Sequence, residues 1–261
     1  MYPDKYAAKN PESAAFIMAS SGQSVSYAEF EMRANRMAHL LRAEGLGQRD
    51  HFSIMMENND RYLEACAAGE RTGLYYTCIN SYLTADELAY ILDNSESQIL
   101  ITSMLKLGVA IDAVAQSNKV RKVLVVDAGA NQLPEGFEDY ATACQSFPVT
   151  PIDNERLGTA MLYSSGTTGR PKGIIRPLPE QPPAEALPIF DFLGQLWHYR
   201  EDMVYLSPAP LYHSAPQAAV NLTIRQGGTV IIMERFDPEA YLSLIEQYTA
   251  THSQLVPTMF S

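Results

Sequence analysis

The sequence contains little cysteine. Its 261 residues include only Cys66, Cys78 and Cys144, which are odd in number and far apart. Such a set forms neither a disulfide framework nor a CxxC metal site. We therefore predict three small, buried, apolar side chains in a protein of a reducing compartment, with the cytoplasm as the expected location.

Lys and Arg are also scarce. The chain has 19 of them against 30 Asp and Glu, which leaves a formal net charge of −11. Nonspecific binding to nucleic acid or to an anionic membrane needs a basic surface, so this composition argues against both. Against the acidic background, Arg170, Lys172 and Arg176 lie within seven residues of one another. This cluster suits a small polyanion such as a nucleotide, but a solvated loop would show the same charges.

Long apolar runs and the commonest phosphate-binding motifs are missing. No run reaches the length of a membrane-spanning helix, and the polar N-terminus does not have the pattern of a signal peptide. No window fits the Walker motif, and the third glycine of the dinucleotide-binding fingerprint is missing after Gly45-Leu46-Gly47. A phosphate-binding loop in this chain therefore has to be of another kind.

One stretch is rich in groups that bind phosphate. Residues 163–173, the candidate loop, read Tyr-Ser-Ser-Gly-Thr-Thr-Gly-Arg-Pro-Lys-Gly and follow a predicted buried strand at 159–162. Glycines let the backbone approach a ligand, and amide N–H groups and hydroxyls donate hydrogen bonds to phosphate oxygens. Lys172 adds a mobile positive charge. The alternative interpretation is an ordinary surface turn after a strand, since such turns are often rich in Ser, Thr and Gly.

Strand and helix signals alternate along the first half of the chain. Strands are predicted at 52–56, 74–79, 98–102 and 120–126, and helices at 59–69 and 104–115. Capping boxes predict that two further helices begin at Ser26 and Thr84. This order indicates βαβ units and hence an α/β fold of doubly wound, mostly parallel sheets flanked by helices. Residues 1–25 are expected to form a strand and turns, and residues 127–156 a surface connection.

The second half continues the alternation beyond the candidate loop. Residues 177–188 are too rich in proline for a regular helix. Helices are predicted at 189–199 and 215–225, and a third is predicted to begin at Asp237-Pro238. Strands are predicted at 204–206, at 229–233 and from 253 onward. We expect residues 1–156 to form a first α/β subdomain and residues 157–261 the start of a second one, which contains the candidate loop.

The candidate loop resembles the signature loop of the adenylate-forming superfamily, which includes acyl-CoA synthetases, luciferases and peptide-synthetase adenylation domains. The match comprises Ser-Ser-Gly-Thr-Thr-Gly, a variable position at Arg170, and Pro-Lys-Gly. Residues 208–214 are similar to the family's Pro-Leu-Phe/Tyr-His segment, and a third similarity runs from 227 to 260. Residues 174–177 depart from the family, which usually begins a helix with a Ser/Thr-His pair there. The departure puts the local wall of the acyl pocket in doubt.

The resemblance implies the fold of the large N-terminal domain of such an enzyme and a two-step ligase reaction. A carboxylic acid attacks the α-phosphorus of ATP to give an acyl-adenylate and pyrophosphate, and coenzyme A then displaces AMP. ATP, Mg²⁺ and coenzyme A are the implied cofactor and co-substrates. The resemblance covers only the first half of a family member. The adenine, ribose and magnesium ligands and a mobile C-terminal domain would lie downstream, so these residues alone are expected to be inactive.

The resemblance also implies roles for particular residues. Lys172, Thr168 and His213 are expected to be catalytic, with Thr168 contacting the magnesium-bound phosphates. No residue of this chain is expected to ligate a metal. His213 is expected beside the acyl carboxylate, where it gates entry together with Tyr212, although a lone histidine is more often hydrogen-bonded at a strand end. The residues expected to bind the triphosphate and the departing pyrophosphate are Ser164, Ser165, Gly166, Thr167, Thr168, Gly169 and Lys172.

Two alternatives stay open at this point. Another adenylate-forming enzyme, such as an amino-acid adenylation domain or a luciferase-like oxygenase, would share the candidate loop, although Pro-Leu-Tyr-His favours a CoA ligase modestly. A noncatalytic nucleotide-binding protein would keep the loop for structure, and the intact Lys172 and hydroxyl run argue against it. The acid itself is not specified, since fatty, aromatic, steroid-like and short branched acids all fit.

Overall fold

The computed structural model describes residues 1–164, 170–185 and 187–260, and the chain forms two compact units. The first unit comprises Met1–Met32, Asn58–Leu63 and Ala184–Ser261, and the second comprises Arg33–Glu57 and Glu64–Pro183. Within the described residues, each unit contains one sheet. The first has a five-stranded sheet and the second a seven-stranded one.

The strands are β1 Ala14–Met18, β2 Ser24–Ser26, β3 His51–Met55, β4 Tyr75–Cys78, β5 Ser97–Ser103, β6 Lys122–Val126, β7 Phe137–Asp139, β8 Thr159–Ser164, β9 Lys172–Ile174, β10 Val204–Ser207, β11 Thr229–Ile232 and β12 His252–Ser253. The helices are α1 Asp4–Lys9, α2 Tyr27–Ala43, α3 Tyr62–Thr72, α4 Ala85–Asn94, α5 Leu107–Val114, α6 Tyr140–Gln145, α7 Pro188–Leu196, α8 Ser214–Gln226 and α9 Pro238–Tyr248. Short 3₁₀ turns lie at Met104–Lys106 and Pro257–Met259.

The sheet of the second unit is parallel except at one edge. Its strand order is β7-β6-β5-β3-β4-β8-β9, and only β9 runs antiparallel to its neighbour, β8. Central strands such as β4 are buried along their whole length, which is typical of parallel sheets covered on both faces. Helix α4 packs Leu88, Ile91 and Leu92 into a core that also contains Leu100 of β5 and Val123 of β6.

Helix α4 begins at the capping box that the sequence predicts. The Glu87 amide donates a hydrogen bond to the Thr84 hydroxyl, and the Glu87 carboxylate accepts one from the Thr84 amide at 2.9 Å. The hydrogen bonds that the Thr84 amide and hydroxyl donate to the Glu87 carboxylate lower the pKa of that carboxyl. The box fixes the first turn of α4, whose later residues contact the candidate loop.

The first unit has a smaller sheet of the same kind. Its strand order is β12-β10-β11-β1-β2, with β2 antiparallel to β1 and the other pairs parallel. Helix α9 begins as predicted, because the Asp237 carboxylate accepts a hydrogen bond from the Ala240 amide at 2.8 Å and Pro238 occupies the first turn. Leu244 of α9 packs against Leu206 and Ile231 of the sheet.

The predicted fold class is confirmed, but several short elements were not predicted. Residues 1–25 contain the expected strand, β1, and also helix α1, which was not expected. Residues 127–156 contain β7 and α6 rather than only a surface connection. Helix α6 starts where the Asp139 carboxylate accepts a hydrogen bond from the Thr142 amide at 2.8 Å. These elements span only three to six residues each, too few for a hydrophobic period to be recognised.

The two units also divide the chain differently from the expected boundary at residues 156 and 157. Strand β8 pairs with β4 through Thr159 and Tyr75, which places it in the same sheet as the preceding βαβ units. Strand β1 pairs with β11 through Phe16 and Val230, so the N-terminal segment belongs to the unit formed by the last third of the chain. The two units are therefore not the consecutive segments 1–156 and 157–261.

The three cysteines are buried and form no disulfide, as their number and spacing predict. The Cys66 and Cys78 sulfurs are 4.0 Å apart. None of the helices in the described part of the chain is long and apolar enough to cross a membrane.

Candidate functional site

The candidate loop joins the two strands of a hairpin at the edge of the second unit's sheet. Strands β8 and β9 are antiparallel, and Ser164 lies opposite Lys172. The pairing thus brings together the first and last residues of the predicted phosphate site. The other predicted residues of the loop, Ser165, Gly166, Thr167, Thr168 and Gly169, lie outside the described residues.

Lys172 presents its charge to solvent. Its side chain is exposed, and within residues 1–164, 170–185 and 187–260 its ammonium forms no ion pair. Arg170 is exposed two residues earlier. An ammonium group without a carboxylate partner at the end of a loop rich in donors is available to an anionic ligand.

Two side chains of β8, Met161 and Tyr163, pack closely against Gly173 of β9. A Cβ atom at this position would overlap the Met161 Cε atom and would lie 2.9 Å from the Tyr163 ring carbon Cζ. Any larger residue would displace one of these side chains of β8. The glycine that follows Lys172 thus lets the Met161 and Tyr163 side chains lie close to β9.

Tyr90 and Asn94 of α4 contact the hairpin, and neither role is evident from the sequence. The Tyr90 hydroxyl donates a hydrogen bond to the Pro171 carbonyl at 3.2 Å, and the Arg170 guanidinium lies 4.9 Å from the centre of the Tyr90 ring. The Tyr163 hydroxyl donates to the Asn94 side-chain oxygen at 2.7 Å. The helical spacing of the apolar residues explains the sequence of α4 without assigning any function to Tyr90 or Asn94.

An open cleft lies beside these contacts. Its volume is about 650 Å³, and it is lined by Asp86, Ala89, Tyr90, Asp93, Asn94, Gln116 and Arg170. On the far side of β9, the Tyr75 hydroxyl donates a hydrogen bond to the Arg176 carbonyl at 2.7 Å. The chain is thus tied to the second unit both before and after β9.

The segment 208–214 follows β10 in the first unit and is held there by Asn58. The buried Asn58 side chain accepts a hydrogen bond from the Leu211 amide at 2.9 Å. It donates to the Ala209 carbonyl at 3.2 Å and to the Met233 carbonyl at 2.9 Å. One amide group therefore fixes the segment to the end of β11. Sequence reasoning missed Asn58, because an asparagine in a short polar stretch is typical of an ordinary turn.

Replacing Asn58 by leucine is expected to lower the free energy of unfolding by about 1–3 kcal/mol, because buried groups lose their partners while the side-chain volume is nearly kept. The NMR signals of Tyr212 and His213 should shift, since their segment loses its attachment. Unfolding can be followed through Trp197, which is the chain's single tryptophan and lies in the same unit.

Asn59→Ala is the matched control for this substitution. The Asn59 side-chain oxygen accepts a local hydrogen bond from the Arg61 amide at 3.0 Å, and among the described residues no hydrogen bond joins this side chain to the segment 208–214. We expect this variant to leave the His213 signals in place. An Asn58→Leu protein that is as stable as the wild type, with unmoved His213 signals, would contradict the assigned role of Asn58.

His213 lies at the start of α8, and among the described residues its ring nitrogens form no hydrogen bond. Its backbone is extended at the N-cap position, and its side chain makes no capping hydrogen bond. The ring centre lies 4.4 Å from that of Tyr212, at an interplanar angle of 51°. Although much of the residue is exposed, partial burial of the ring lowers the pKa of the imidazole. The neutral ring is therefore the dominant form at pH 7, and it can donate or accept a hydrogen bond.

The predicted site residues thus fall into two local groups. Ser164 and Lys172 lie opposite each other in the second unit, and Tyr212 and His213 are neighbours in the first. Among the described residues, no group of three or more His, Cys, Asp or Glu is placed to hold a metal ion.

A family model described as AMP-binding enzyme matches residues 3–261. The chain is also similar to 4-coumarate–CoA ligase 1 of Petroselinum crispum, with 27% identity over 242 residues. The aligned region covers 92% of this chain and 44% of the relative. The chain therefore spans about half the length of the curated relatives that it matches.

Solved structures show the same fold. ATP-bound MatB from Rhodopseudomonas palustris superposes with a TM-score of 0.76 at 28% identity, covering all of this chain and 50% of that one. The inhibitor-bound N-terminal domain of FACL13 from Mycobacterium tuberculosis gives a TM-score of 0.81 at 24% identity, covering 98% of this chain and 62% of that one. The expected fold, that of the N-terminal domain of an adenylate-forming enzyme, is confirmed.

Proposed function

The chain belongs to the family of AMP-binding enzymes, and from this premise we propose that it serves the ATP-dependent ligation of a carboxylic acid to coenzyme A. The carboxylate attacks the α-phosphorus of ATP, which forms an acyl-adenylate and releases pyrophosphate. The thiol of coenzyme A then attacks the acyl carbonyl and releases AMP. The observation that carries this proposal is the hairpin that places Ser164 opposite an exposed Lys172 at the two ends of the candidate loop.

In the first step the candidate loop acts by position and charge. Displacement at phosphorus is helped chiefly by holding the phosphates in line and by neutralising the charge that develops on the leaving group. The Lys172 ammonium is suited to the departing pyrophosphate. The residues proposed to bind the phosphates with it are Ser164, Ser165, Gly166, Thr167, Thr168 and Gly169. The ATP-bound state of the MatB relative supports ATP as the nucleotide.

Mg²⁺ is proposed to accompany the nucleotide. In nucleotide sites this ion is held by one or two carboxylates together with the substrate phosphates and water. The described residues offer no cluster of carboxylate or imidazole groups for it, so we assign most of its ligands to the phosphates. Thr168 is proposed to contact those magnesium-bound phosphates, since its hydroxyl group can donate a hydrogen bond to a phosphate oxygen.

His213 and Tyr212 are proposed to contact the acid. The neutral imidazole of His213 can donate a hydrogen bond to the acid's carboxylate and so orient it. An ion pair with a protonated imidazole would instead lower the nucleophilicity of the carboxylate. The adjacent Tyr212 ring supplies an aromatic wall to the same place. Coenzyme A as the acceptor is supported by the relative 4-coumarate–CoA ligase 1.

Binding of ATP is the direct test on these 261 residues. Because the chain spans about half the length of its curated relatives, we expect weak binding and no thioester formation by this chain alone. Adding Mg·ATP should shift the backbone amide signals of Ser164, Arg170 and Lys172, and inorganic tripolyphosphate should shift the same signals. If millimolar ATP leaves all three unmoved, the candidate loop does not bind the nucleotide.

His213→Ala separates the acid site from the nucleotide site. In any form of the enzyme that turns over, this variant should raise the acid concentration needed for half-maximal rate severalfold more than the ATP concentration. His198→Asn is the control, because His198 is an exposed histidine of the same unit with left-handed backbone that asparagine tolerates. Equal changes for acid and ATP in His213→Ala would remove His213 from the acid site.

A further inference from the structure

One face of helix α4 holds both arms of the hairpin that contains the candidate loop. Tyr90 and Asn94 are four residues apart, so their side chains leave the helix on the same side. Tyr90 contacts the β9 arm through Pro171 and Arg170, and Asn94 contacts the β8 arm through Tyr163. Burial raises the pKa of the Tyr163 hydroxyl, which therefore stays protonated and able to donate.

The Pro171 carbonyl, which accepts the Tyr90 hydrogen bond, belongs to the peptide group that precedes Lys172. The orientation of this peptide group determines the direction in which the Lys172 backbone begins. Pro171 has no N–H group, so its carbonyl is the one backbone group of that residue that can be tied by a hydrogen bond. The proline ring also fixes the φ angle of Pro171 and restricts Arg170 to extended backbone. A hydrogen bond at this carbonyl therefore fixes the peptide plane from which Lys172 begins.

The Tyr90 ring also holds the neighbouring cation. The Arg170 guanidinium carbon lies 4.9 Å from the ring centre, within the range of a cation–π interaction. Arg170 and Lys172 are the two positive charges at this end of the candidate loop. Tyr90 thus contacts the residues on both sides of the Arg170–Pro171 peptide bond, immediately before Lys172.

We propose that Tyr90 is a positioning residue for the polyphosphate-binding end of the candidate loop, with its hydroxyl fixing Pro171 and its ring fixing Arg170. Tyr90 acts through these two residues on Lys172 and does not itself touch the ligand. The inference rests on the proposed function, because it takes the polyphosphate of ATP as the ligand of Lys172. It adds a residue on a different element, α4, to the site.

A purely structural role for Tyr90 is the competing explanation, and Tyr75 provides the matched control. Tyr75 donates the same kind of hydrogen bond, from a tyrosine hydroxyl to a backbone carbonyl, in the same unit. Its acceptor is the carbonyl of Arg176, which lies beyond β9 and three residues past the end of the candidate loop. Tyr75→Phe and Tyr90→Phe therefore remove equivalent bonds at different places along one stretch of chain.

The experiment measures the affinity of the 261-residue chain for inorganic tripolyphosphate and for Mg·ATP by isothermal titration. Tyr90→Phe should weaken both by about 3–10-fold, as expected for the loss of one hydrogen bond. Tyr90→Leu, which also loses the ring, should weaken them by roughly 10–50-fold. Tyr75→Phe should change them by less than about twofold while lowering the melting temperature as much as Tyr90→Phe does.

The outcomes distinguish failure of the Tyr90 inference from failure of the proposed function. If Lys172→Ala weakens tripolyphosphate binding and Tyr90→Phe does not, the inference about Tyr90 is wrong and the proposed function stands. If Tyr90→Phe and Tyr75→Phe weaken binding equally, Tyr90 has only a structural role. If neither Lys172→Ala nor Tyr90→Phe alters binding, the proposed function fails together with the inference. The Phe variant keeps the test decisive even if Tyr90→Leu does not fold.

Discussion

Lys172→Ala is expected to slow adenylation by roughly 10²–10³, the usual effect of removing one group that stabilises charge in a transition state. Lys172 is the first residue of β9 and lies opposite Ser164, and its side chain is exposed. As pyrophosphate departs, negative charge grows on the oxygens that this group is proposed to bind. Alanine leaves the hairpin intact, because the lysine side chain supports no described part of the core, but it removes the charge.

Two measurements check this expectation. ATP–pyrophosphate exchange follows adenylation in a form of the enzyme that turns over, and titration with ATP follows binding by the 261-residue chain. A charge-assisted hydrogen bond contributes about 1.5–3 kcal/mol, so the dissociation constant for ATP should rise by about 10- to 150-fold. The exchange rate should fall further than the affinity if Lys172 acts mainly on the departing pyrophosphate.

Controls separate the position of the charge from its mere presence. Lys172→Arg keeps a positive charge at the same position and should retain part of the activity, while differing in geometry. Lys119→Ala removes an exposed lysine of the same unit, one that pairs with Glu96 at 3.6 Å, and should leave exchange unchanged. Exchange by Lys172→Ala that stays within about twofold of the wild type would refute the catalytic assignment, given the effect sizes common for such groups.

Local signals explain why much of the fold was predictable. The capping box at Thr84 and the Asp237-Pro238 start of α9 depend on residues within one turn, so the sequence displays them directly. The alternation of buried strands and amphipathic helices fixes the parallel α/β class in the same way. The sequence analysis named Ser164 and Lys172 as candidate phosphate-binding residues, but it did not predict that they pair across a hairpin.

Long-range pairing explains what the sequence did not show. The composition of the two units depends on β1 lying beside β11 and on β8 lying beside β4, and such partners are far apart along the chain. Asn58 and Tyr90 act in the same way, since each contacts residues far away in sequence. A single asparagine or tyrosine carries no local mark of a partner more than 80 residues away.

Gly158→Ala is expected to destabilise the second unit by about 3 kcal/mol or more, at the upper end of overpacking effects. Gly158 is buried directly before β8, and its amide donates a hydrogen bond to the Glu70 carbonyl at 2.7 Å. A Cβ atom here would overlap the Gly69 carbonyl oxygen and lie 2.5 Å from the Leu74 carbonyl oxygen. These are backbone atoms at the end of α3 and just before β4, so no side-chain rotation relieves the overlap.

The consequence should reach the candidate loop, because Gly158 sets where β8 begins. The next amide, of Thr159, donates to the Leu74 carbonyl at 3.1 Å, and β8 continues from there to Ser164. Alanine should therefore speed hydrogen exchange of the β4 and β8 amides and weaken ATP binding together with stability. Gly108→Ala is the control, since Gly108 lies in α5 with open space around it, and alanine there should stabilise the helix by about 0.5–1 kcal/mol. If Gly158→Ala unfolds with the same urea midpoint as the wild type, then β8 can move away from α3 without loss of stability. The close approach of these two backbones would then not be what positions the candidate loop.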